Sequence, residues 1–313
     1  MSQNNTSILY VGLDVAKLSL ELYLKNRSYS LTNDPQGHAK LIELLRPHPD
    51  AHVCCEATGG YEQTVAEALH KAGVPVSIIE AGRVRHFAHA QGKRAKTDPI
   101  DAAVLSDYGR ALEPKASPAP AAQVQELADV LQRRRQIIQL LAIERNHTEH
   151  YRDKFRLKQA QELAKFLEKQ IAQCDKALAA LIAKDAGLSH KAQRLQAIPG
   201  VGPVTAATMV AEMPELGQVN HREIAALAGV APYNNQSGNQ QNVRRIGGGR
   251  KAVRTALYMA ALSAVRHDQI LRNLYKRLLQ AGKKPIVALV ACMRKLIILM
   301  NRLLKNDKFQ LAQ

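Results

Sequence analysis

The chain has 313 residues, 46% of them hydrophobic, which is enough for about two domains with real cores and excludes a mainly disordered protein. Its 44 Lys and Arg residues outnumber 27 Asp and Glu, and a net charge of +17 favours a polyanionic partner, because each neutralised phosphate releases a counterion. The four cysteines form no CxxC pair, which argues against a zinc knuckle and fits a reducing cytoplasm. A polar start and two charges inside the last apolar stretch predict a soluble, cytoplasmic protein without a membrane span.

The first part of the chain alternates between short apolar runs and helical patterns. Residues 18–24 alternate leucines with polar side chains, which is the pattern of a strand with one buried face. Other strands are predicted at 8–13, 29–31, 52–55 and 76–79, and helices at 36–45 and 61–72. This order indicates a mixed sheet with flanking helices, and we expect an α/β domain over residues 1–113.

The character of the chain changes after a Pro/Ala-rich linker at 113–120. Residues 121–190 carry apolar side chains at helical spacing and contain no proline, which predicts two long helices. These helices form either an antiparallel hairpin within a bundle or a dimerising coiled coil. Residues 191–313 are mainly helical with glycine-rich breaks, so the predicted fold class is α/β plus α.

Four carboxylates lie at predicted strand ends and at a predicted helix start, where α/β proteins commonly bind ligands. Asp14 and Glu56 each follow a predicted strand, and Asp98 and Asp101 lie three residues apart at the start of a predicted helix. Residues three apart share a helix face, so both aspartates can point at one spot. Four carboxylates repel one another unless cations neutralise them, and hard oxygen ligands suit Mg²⁺ or Mn²⁺. Taken singly, Asp98 is better explained as a helix cap, and Asp14 and Glu56 as solvated loop residues, so only the combination indicates a site.

Two basic zones are candidates for nucleic-acid contact. The first leads into Asp98, and the second contains no acidic residue between Glu223 and Asp268 and surrounds Gly247-Gly248-Gly249, whose backbone amides can approach phosphates closely. The candidate contacts are Arg83, Arg85, Lys93, Arg94 and Lys96 in the first zone, and Arg244, Arg245, Arg250, Lys251 and Arg254 in the second. A solvated basic surface is the competing interpretation of both zones.

Two further features are weaker. The segment 198–203, which contains Gly200 and Gly202, lies between helical patterns and is similar to a helix-hairpin-helix element, which grips a DNA backbone through exposed amides. A structural turn explains the same residues. Ser237 lies in a loop rich in turn formers, with Arg244 and Arg245 soon after it, and its position alone does not distinguish it from any other loop serine.

The three carboxylate motifs, GLDVAK at 12–17, EATGGY at 56–61 and KTDPIDA at 96–102, resemble those of the DEDD transposases of insertion sequences, of the IS110 class. Residues 199–202 and 229–238 resemble that family's C-terminal transposase domain. The resemblance covers nearly the whole chain in the right order. It departs from the family at Gln236, where many relatives carry a second serine before the nucleophile.

The resemblance implies an N-terminal RuvC-like, RNase H-type domain in which Asp14, Glu56, Asp98 and Asp101 bind the metal ions. It implies that Ser237 is the nucleophile and forms a covalent phosphoserine link to DNA. Ser263, which lies in a helical pattern, is a weaker candidate for that role. Family members are guided by a noncoding bridge or seeker RNA that pairs with donor and target DNA. They assemble as homo-oligomers, in which the tetrad of one subunit and the serine of another form one site.

The resulting hypothesis is an RNA-guided DNA recombinase that cuts, exchanges and rejoins strands. The absence of a GxxxxGK[ST] phosphate loop agrees with it, because a covalent link conserves the phosphodiester energy without ATP. One alternative is a metal-dependent nuclease or junction resolvase that uses water and needs no serine. The other is a non-catalytic nucleic-acid-binding protein, which needs the basic zones and not the carboxylates.

Overall fold

The structure is a computed structural model, and it describes residues 8–93, 98–233, 236–237, 240–241 and 244–309. The chain divides into two compact units, Met1–Ala119 and Pro120–Gln313, with the boundary in the Pro/Ala-rich linker. The finer division into domains at 121–190 and 191–313 stays a prediction. Within the described ranges, no helix is long and apolar enough to cross a membrane.

The first unit is a sheet with helices on both faces. Its strands are β1 (Leu9–Val15), β2 (Ser19–Leu24), β3 (Arg27–Thr32), β4 (Ala51–Glu56) and β5 (Val76–Ile79). Its helices are α1 (Pro35–Leu45), α2 (Glu62–Lys71), α3 (Ala81–Ala90) and α4 (Asp98–Leu112). The sheet order is β3-β2-β1-β4-β5, in which β2 runs antiparallel to both neighbours while β1, β4 and β5 are parallel. This mixed arrangement fits an RNase H-like fold.

The two faces of the sheet are covered by different helices. Val11, Leu13 and Val15 pack with apolar residues of β2, α1 and α2 in one buried cluster. Tyr10 points to the opposite face and packs with residues of α3 and α4. Because side chains alternate along a strand, Gly12 and Asp14 lie on the same face as Tyr10. The carboxylate of Asp14 therefore belongs to the side of the sheet that α3 and α4 cover.

The second unit is mainly helical. Its helices are α5 (Ala122–Thr148), α6 (Lys154–Lys184), α7 (Ala186–Gln196), α8 (Pro203–Glu212), α9 (His221–Leu227), α10 (Lys251–His267), α11 (Gln269–Gln280) and α12 (Pro285–Lys305). Between α9 and α10, the described residues include the two-residue strands β6 (Pro232–Tyr233), β7 (Gln236–Ser237), β8 (Gln240–Gln241) and β9 (Arg245–Ile246). β6 pairs with β9, and β7 pairs with β8. Helices α7 to α12 share one large apolar core.

The two long helices predicted between Pro120 and Pro199 form a hairpin within this chain. Ion pairs between Arg134 and Asp175 and between Arg145 and Glu168 show that α5 and α6 run antiparallel. The open end of the hairpin inserts residues such as Leu127 into the main core, while its other half has a small cluster of its own. Coiled-coil dimerisation stays a prediction.

Two local expectations were wrong. Asp14 does not follow the first strand but lies inside β1, because β1 continues to Val15 through antiparallel pairing with Leu20 of β2. Glu56 likewise does not follow a strand but is the last residue of β4, where it pairs with Ile79 of β5. Helix α3, which sequence reasoning did not predict, covers Ala81–Ala90 and is anchored by the buried side chain of Val84. A single apolar anchor in a strongly basic segment gives little helical periodicity for sequence reasoning to detect.

Candidate active site

Two of the four predicted carboxylates lie side by side at one end of the central strands. Strands β1 and β4 are parallel and in register, with Leu13 opposite Cys55 as their last pair. Asp14 and Glu56 each come one residue later, so they occupy neighbouring positions on the same face. Both side chains are partly buried.

Helix α4 brings the other two carboxylates to the same place. A Cβ atom on Gly12 would lie 1.8 Å from the carbonyl oxygen of Ala102, so only glycine lets α4 rest directly on β1. Farther along the contact, the Ser106 hydroxyl donates a 2.8 Å hydrogen bond to the carbonyl of Tyr10. The helix thus runs opposite to β1, and its first turn, with Asp98 and Asp101, lies towards Asp14.

The electrostatics of Asp14 show that the four groups are close enough to interact. The pKa of Asp14 is raised to about 6, mainly by burial and then by the negative charges of Asp101, Asp98 and Glu56. A hydrogen bond from the backbone of Val15 acts in the opposite direction and is outweighed. The structure therefore brings together the complete carboxylate set that the sequence singled out, which we call the tetrad: Asp14, Glu56, Asp98 and Asp101.

A fifth carboxylate, which sequence reasoning missed, lies next to the tetrad. Glu21 of β2 pairs directly with Asp14 across the antiparallel ladder and therefore shares its face of the sheet. Its Oε2 atom is buried and has no hydrogen-bond partner in the described part of the chain. A buried carboxylate oxygen without a donor is unfavourable unless a cation or a proton satisfies it.

The donor chemistry of this site fits a hard divalent cation. All five groups are carboxylates, which are the ligands that Mg²⁺ and Mn²⁺ prefer, and the orphaned oxygen of Glu21 is what a cation would satisfy. Among the described residues, no three His, Cys, Asp or Glu side chains are already grouped so that they could hold one ion. The tetrad is gathered at one end of the sheet without being closed around a single point.

Asn33 ties together the two loops that follow Asp14 and Glu56. Its Nδ2 atom donates hydrogen bonds to the carbonyl of Ala16, at 2.9 Å, and to the carbonyl of Tyr61, at 3.3 Å. The imidazole of His38, a buried residue, contacts Asn33 Oδ1 at 2.8 Å and so fixes the orientation of the amide. Burial lowers the pKa of His38, which favours a neutral imidazole in this network.

The loop after Glu56 is also organised from inside by Glu62. The Oε2 atom of this buried side chain accepts hydrogen bonds from the backbone amide and hydroxyl of Thr58 and from the amide of Gly60. Gly59 and Gly60 have φ values of 80° and 120°, which residues with a side chain rarely adopt. The glycines of the EATGGY motif are thus explained by the shape of the loop that leaves Glu56.

The candidate cations of the first basic zone differ in their surroundings. Arg83 and Arg85 are exposed on α3, which packs against α4. Lys93 pairs with Asp107 of α4 at 2.9 Å, so it fastens the two segments. Arg94 and Lys96 lie outside the described residues.

The second basic zone contains both structural and exposed cations. Arg250 forms a two-pronged ion pair with Glu215 at 2.7 and 2.8 Å, and Arg254 donates to the carbonyl of Gly248 at 2.6 Å. Arg244, Arg245 and Lys251 are exposed. Arg250 and Arg254 are thus engaged in holding the turn before α10, while the exposed three are the stronger candidates for phosphate contact.

The two glycines of the helix-hairpin-helix-like segment differ in their surroundings. Gly200 has a φ of 90°, and a Cβ atom there would lie 2.5 Å from the backbone nitrogen of Ala264, so this glycine serves the packing of the turn on α10. Gly202 is exposed at the start of α8, and a Cβ atom there would meet no described atom within 4 Å. Only Gly202 is open to a phosphate.

Ser237 lies in strand β7 and not in an irregular loop. Its backbone pairs with Gln240 of β8 in a short antiparallel hairpin. Gly238, the neighbour that the resemblance uses to identify the serine, lies outside the described residues. Ser263, the weaker candidate, lies within α10.

Comparison with known proteins gives matches to both units. A DEDD-type IS110 transposase model matches residues 11–156, and a model described as the transposase IS116/IS110/IS902 family matches residues 192–276. The chain is 26% identical over 311 residues to the pilin gene-inverting protein of Moraxella bovis, and 25% identical to that of Moraxella lacunata. In each case the match covers 96% of this chain and 96% of the relative.

Proposed function

Because the chain belongs to the IS110-type DEDD transposases, enzymes that cut and rejoin DNA, we propose that it transposes an insertion sequence with the tetrad as its metal-binding cleavage centre. One observation carries this proposal. The pKa of Asp14 is raised to about 6, first by burial and then by the charges of Asp101, Asp98 and Glu56, so the carboxylates of the other two motifs lie close enough to act on Asp14. Such an arrangement is costly without a cation and is typical of phosphodiester chemistry.

Each tetrad residue has a role that follows from its position. Asp14 and Glu56 are fixed by the sheet, and they form the rigid floor of the pocket. Asp98 and Asp101 come from the first turn of α4, so the close contact between Gly12 and this helix sets their distance from the floor. Bound Mg²⁺ or Mn²⁺ would neutralise charge on the scissile phosphate and promote deprotonation of the attacking hydroxyl.

Ser237 is the proposed nucleophile. Its hydroxyl gives up a proton, its oxygen forms a bond to phosphorus, and the bond from phosphorus to the leaving DNA oxygen breaks, so that the released DNA hydroxyl takes a proton. The phosphoserine link keeps the phosphodiester energy. Attack by the hydroxyl of another strand then reverses the step and rejoins the DNA. Support for this assignment comes from the match to the transposase IS116/IS110/IS902 family, which covers residues 192–276 and therefore includes Ser237.

The partners follow from the same proposal. The relatives are named for inverting a pilin gene. We propose that this chain also joins two DNA sites, a donor and a target. A noncoding RNA of the bridge or seeker type would select those sites by base pairing. A homo-oligomer would combine the tetrad of one subunit with Ser237 of another. The charge of +17 is suited to holding several nucleic-acid strands.

The test is a plasmid recombination assay with the element's noncoding RNA co-expressed. Asp14→Asn and Asp101→Asn are expected to lose recombination by at least about 1000-fold, since both remove ligands of the cleavage centre. Glu43→Gln, which alters an exposed carboxylate of α1, is the matched control and should recombine normally. Normal recombination by the two tetrad variants would refute the proposed function and favour a non-catalytic binding protein.

A water-using nuclease is the second candidate, because the tetrad alone is sufficient for hydrolysis. Ser237→Ala separates the two functions. Loss of both cleavage and joining supports the covalent route. Retained cleavage with loss of joining supports hydrolysis.

A further inference from the structure

Glu21 is an acidic side chain beside the tetrad that lies outside the three carboxylate motifs. It lies in the middle of β2, where alternation with Leu20 and Leu22 places it on the face opposite the apolar cluster of α1 and α2. On an isolated sheet this face would be solvated. Here α4 packs across both β1 and β2, so Glu21 lies beneath a helix.

The ladder places Glu21 beside Asp14. The two residues are directly paired in the antiparallel register, and such pairs have their Cβ atoms about 4.5–5.5 Å apart on one face. Two acidic side chains therefore stand on directly paired residues of one face of the sheet. For a residue needed only to fill space under α4, an apolar or amide side chain would be the favourable choice.

The orphaned oxygen identifies what the position lacks. Oε2 of Glu21 is buried and unpartnered within the described residues, and leaving such an atom unsatisfied is unfavourable, the more so for a charged group. A cation held by Asp14, or a water molecule bound to that cation, would satisfy it. Residues that hydrogen-bond to metal ligands or their waters commonly alter metal affinity by about 10- to 100-fold.

We propose that Glu21 is a fifth carboxylate of the cation pocket, which orients the metal ion, directly or through one of its waters, from the β2 side. The inference rests on the proposed function, because it takes the tetrad to be the metal site. Glu21 is a positioning residue in this assignment. With Glu21 included, β1, β4, α4 and β2 each contribute a carboxylate to this end of the sheet.

The test is calorimetric titration of the full chain with Mn²⁺ alone, together with melting temperatures with and without the ion. Glu21→Gln keeps the shape and removes the charge. We expect its Mn²⁺ affinity to fall about 10- to 100-fold, while its melting temperature without metal stays equal to or rises above that of the wild type. Glu21→Asp, which keeps the charge on a shorter arm, should bind Mn²⁺ with intermediate affinity. Glu43→Gln is the charge-matched control.

Asp14→Asn makes the outcomes distinguishable. If Asp14→Asn loses Mn²⁺ binding while Glu21→Gln binds like the wild type, the inference about Glu21 is overturned and the proposed metal site stands. If Glu21→Gln lowers the metal-free melting temperature and leaves Mn²⁺ affinity unchanged, Glu21 has a purely structural role. If the wild type and Asp14→Asn bind Mn²⁺ alike, both the inference and the proposed cleavage centre fail.

Discussion

Asn33 shows how a single amide supports the site without entering it. Its hydrogen bonds to the carbonyls of Ala16 and Tyr61 connect the turn after β1 with the loop after β4. These are the segments that leave Asp14 and Glu56. The backbone on either side of the two carboxylates is thus held in place. The parallel pairing of β1 with β4 holds the residues before them, and the Asn33 bridge holds the segments after them.

Replacing Asn33 should therefore affect activity more than stability. In Asn33→Ala, two carbonyls at the protein surface lose their donor, which should cost about 1 kcal/mol of unfolding free energy. Recombination is expected to fall about 10- to 100-fold, because the loops behind the carboxylates are no longer held in place. The measurements are urea unfolding and the plasmid assay. Asn273→Ala, at an exposed position of α11, is the control. Equal recombination by both variants would contradict the bridging role.

Glu215 illustrates a charge that stabilises the second unit. Burial by itself would raise the pKa of Glu215, but the hydrogen bonds and positive charge of Arg250 outweigh it and lower the pKa below the ordinary value of 4.5. A depressed carboxylate pKa means that the pair stabilises the fold fully above the ordinary pKa. This stabilisation is lost as the pH falls through the lowered value.

The pH dependence of this pair can be measured by difference. The melting temperature of the wild type should exceed that of Glu215→Gln at neutral pH. The gap should shrink as the pH falls below 4.5 and the wild-type carboxylate becomes protonated. A gap that stays constant from neutral to acidic pH would show that the Arg250 pair contributes no pH-dependent stability.

At the scale of whole elements, the packing of α4 on β1 determines whether the tetrad can assemble. Gly12→Ala would place a Cβ atom against backbone atoms of Ala102 and Ser106, which cannot move aside as a flexible side chain would. We expect a loss of about 1–3 kcal/mol of stability and loss of recombination, measured by urea unfolding and the plasmid assay. Gly82→Ala within α3, where the added Cβ atom would lie 3.6 Å from Glu80 Oε1, should be neutral or slightly stabilising. Full activity of Gly12→Ala would contradict the role of this contact.

The turn before α8 gives a second test at this scale. Gly202→Asp puts a preferred capping residue at the start of α8, so stability should hold or rise by a few tenths of a kcal/mol. The added negative charge should weaken DNA binding if the turn grips phosphates. Binding is measured by fluorescence anisotropy, and melting temperature serves as the folding control. Unchanged DNA affinity would make the segment a structural turn.

Much of the first unit was predictable from local patterns, and its exceptions have physical causes. Strand β5 and helix α1 agree with the predicted segments to within one residue, because a short apolar run and the Asp34 cap are local signals. Glu21 was not predictable as a site residue. Alternation puts it on the polar face of β2, and only the tertiary packing of α4 turns that face inward. The same limit applies to Gly200, whose close neighbour Ala264 is far away in sequence.

At the scale of the whole molecule, the net charge of the chain is positive, whereas the proposed cleavage centre is acidic. In the proposed function, an acidic tetrad must receive a polyanionic DNA strand. The 44 Lys and Arg residues, which outnumber the 27 Asp and Glu residues, offset the repulsion between the tetrad and the strand. The exposed Arg83 and Arg85 on α3, which packs against the helix that carries Asp98 and Asp101, are suited to guide DNA towards the tetrad. Ser237, the proposed nucleophile, belongs to the second unit, so the proposal requires the two units to act on the same phosphate, within one chain or between subunits.

The most direct test of this joint chemistry is to trap the protein on DNA. A donor DNA with a nick that lets the released strand diffuse away is incubated with the full chain, its noncoding RNA and Mg²⁺, and the adduct is digested and mapped by mass spectrometry. We predict a nucleotide linked to Ser237 in the wild type and no adduct in either Asp14→Asn or Ser237→Ala. Cleaved DNA ends that carry no protein in the wild type, with equal cleavage by Ser237→Ala, would contradict the account.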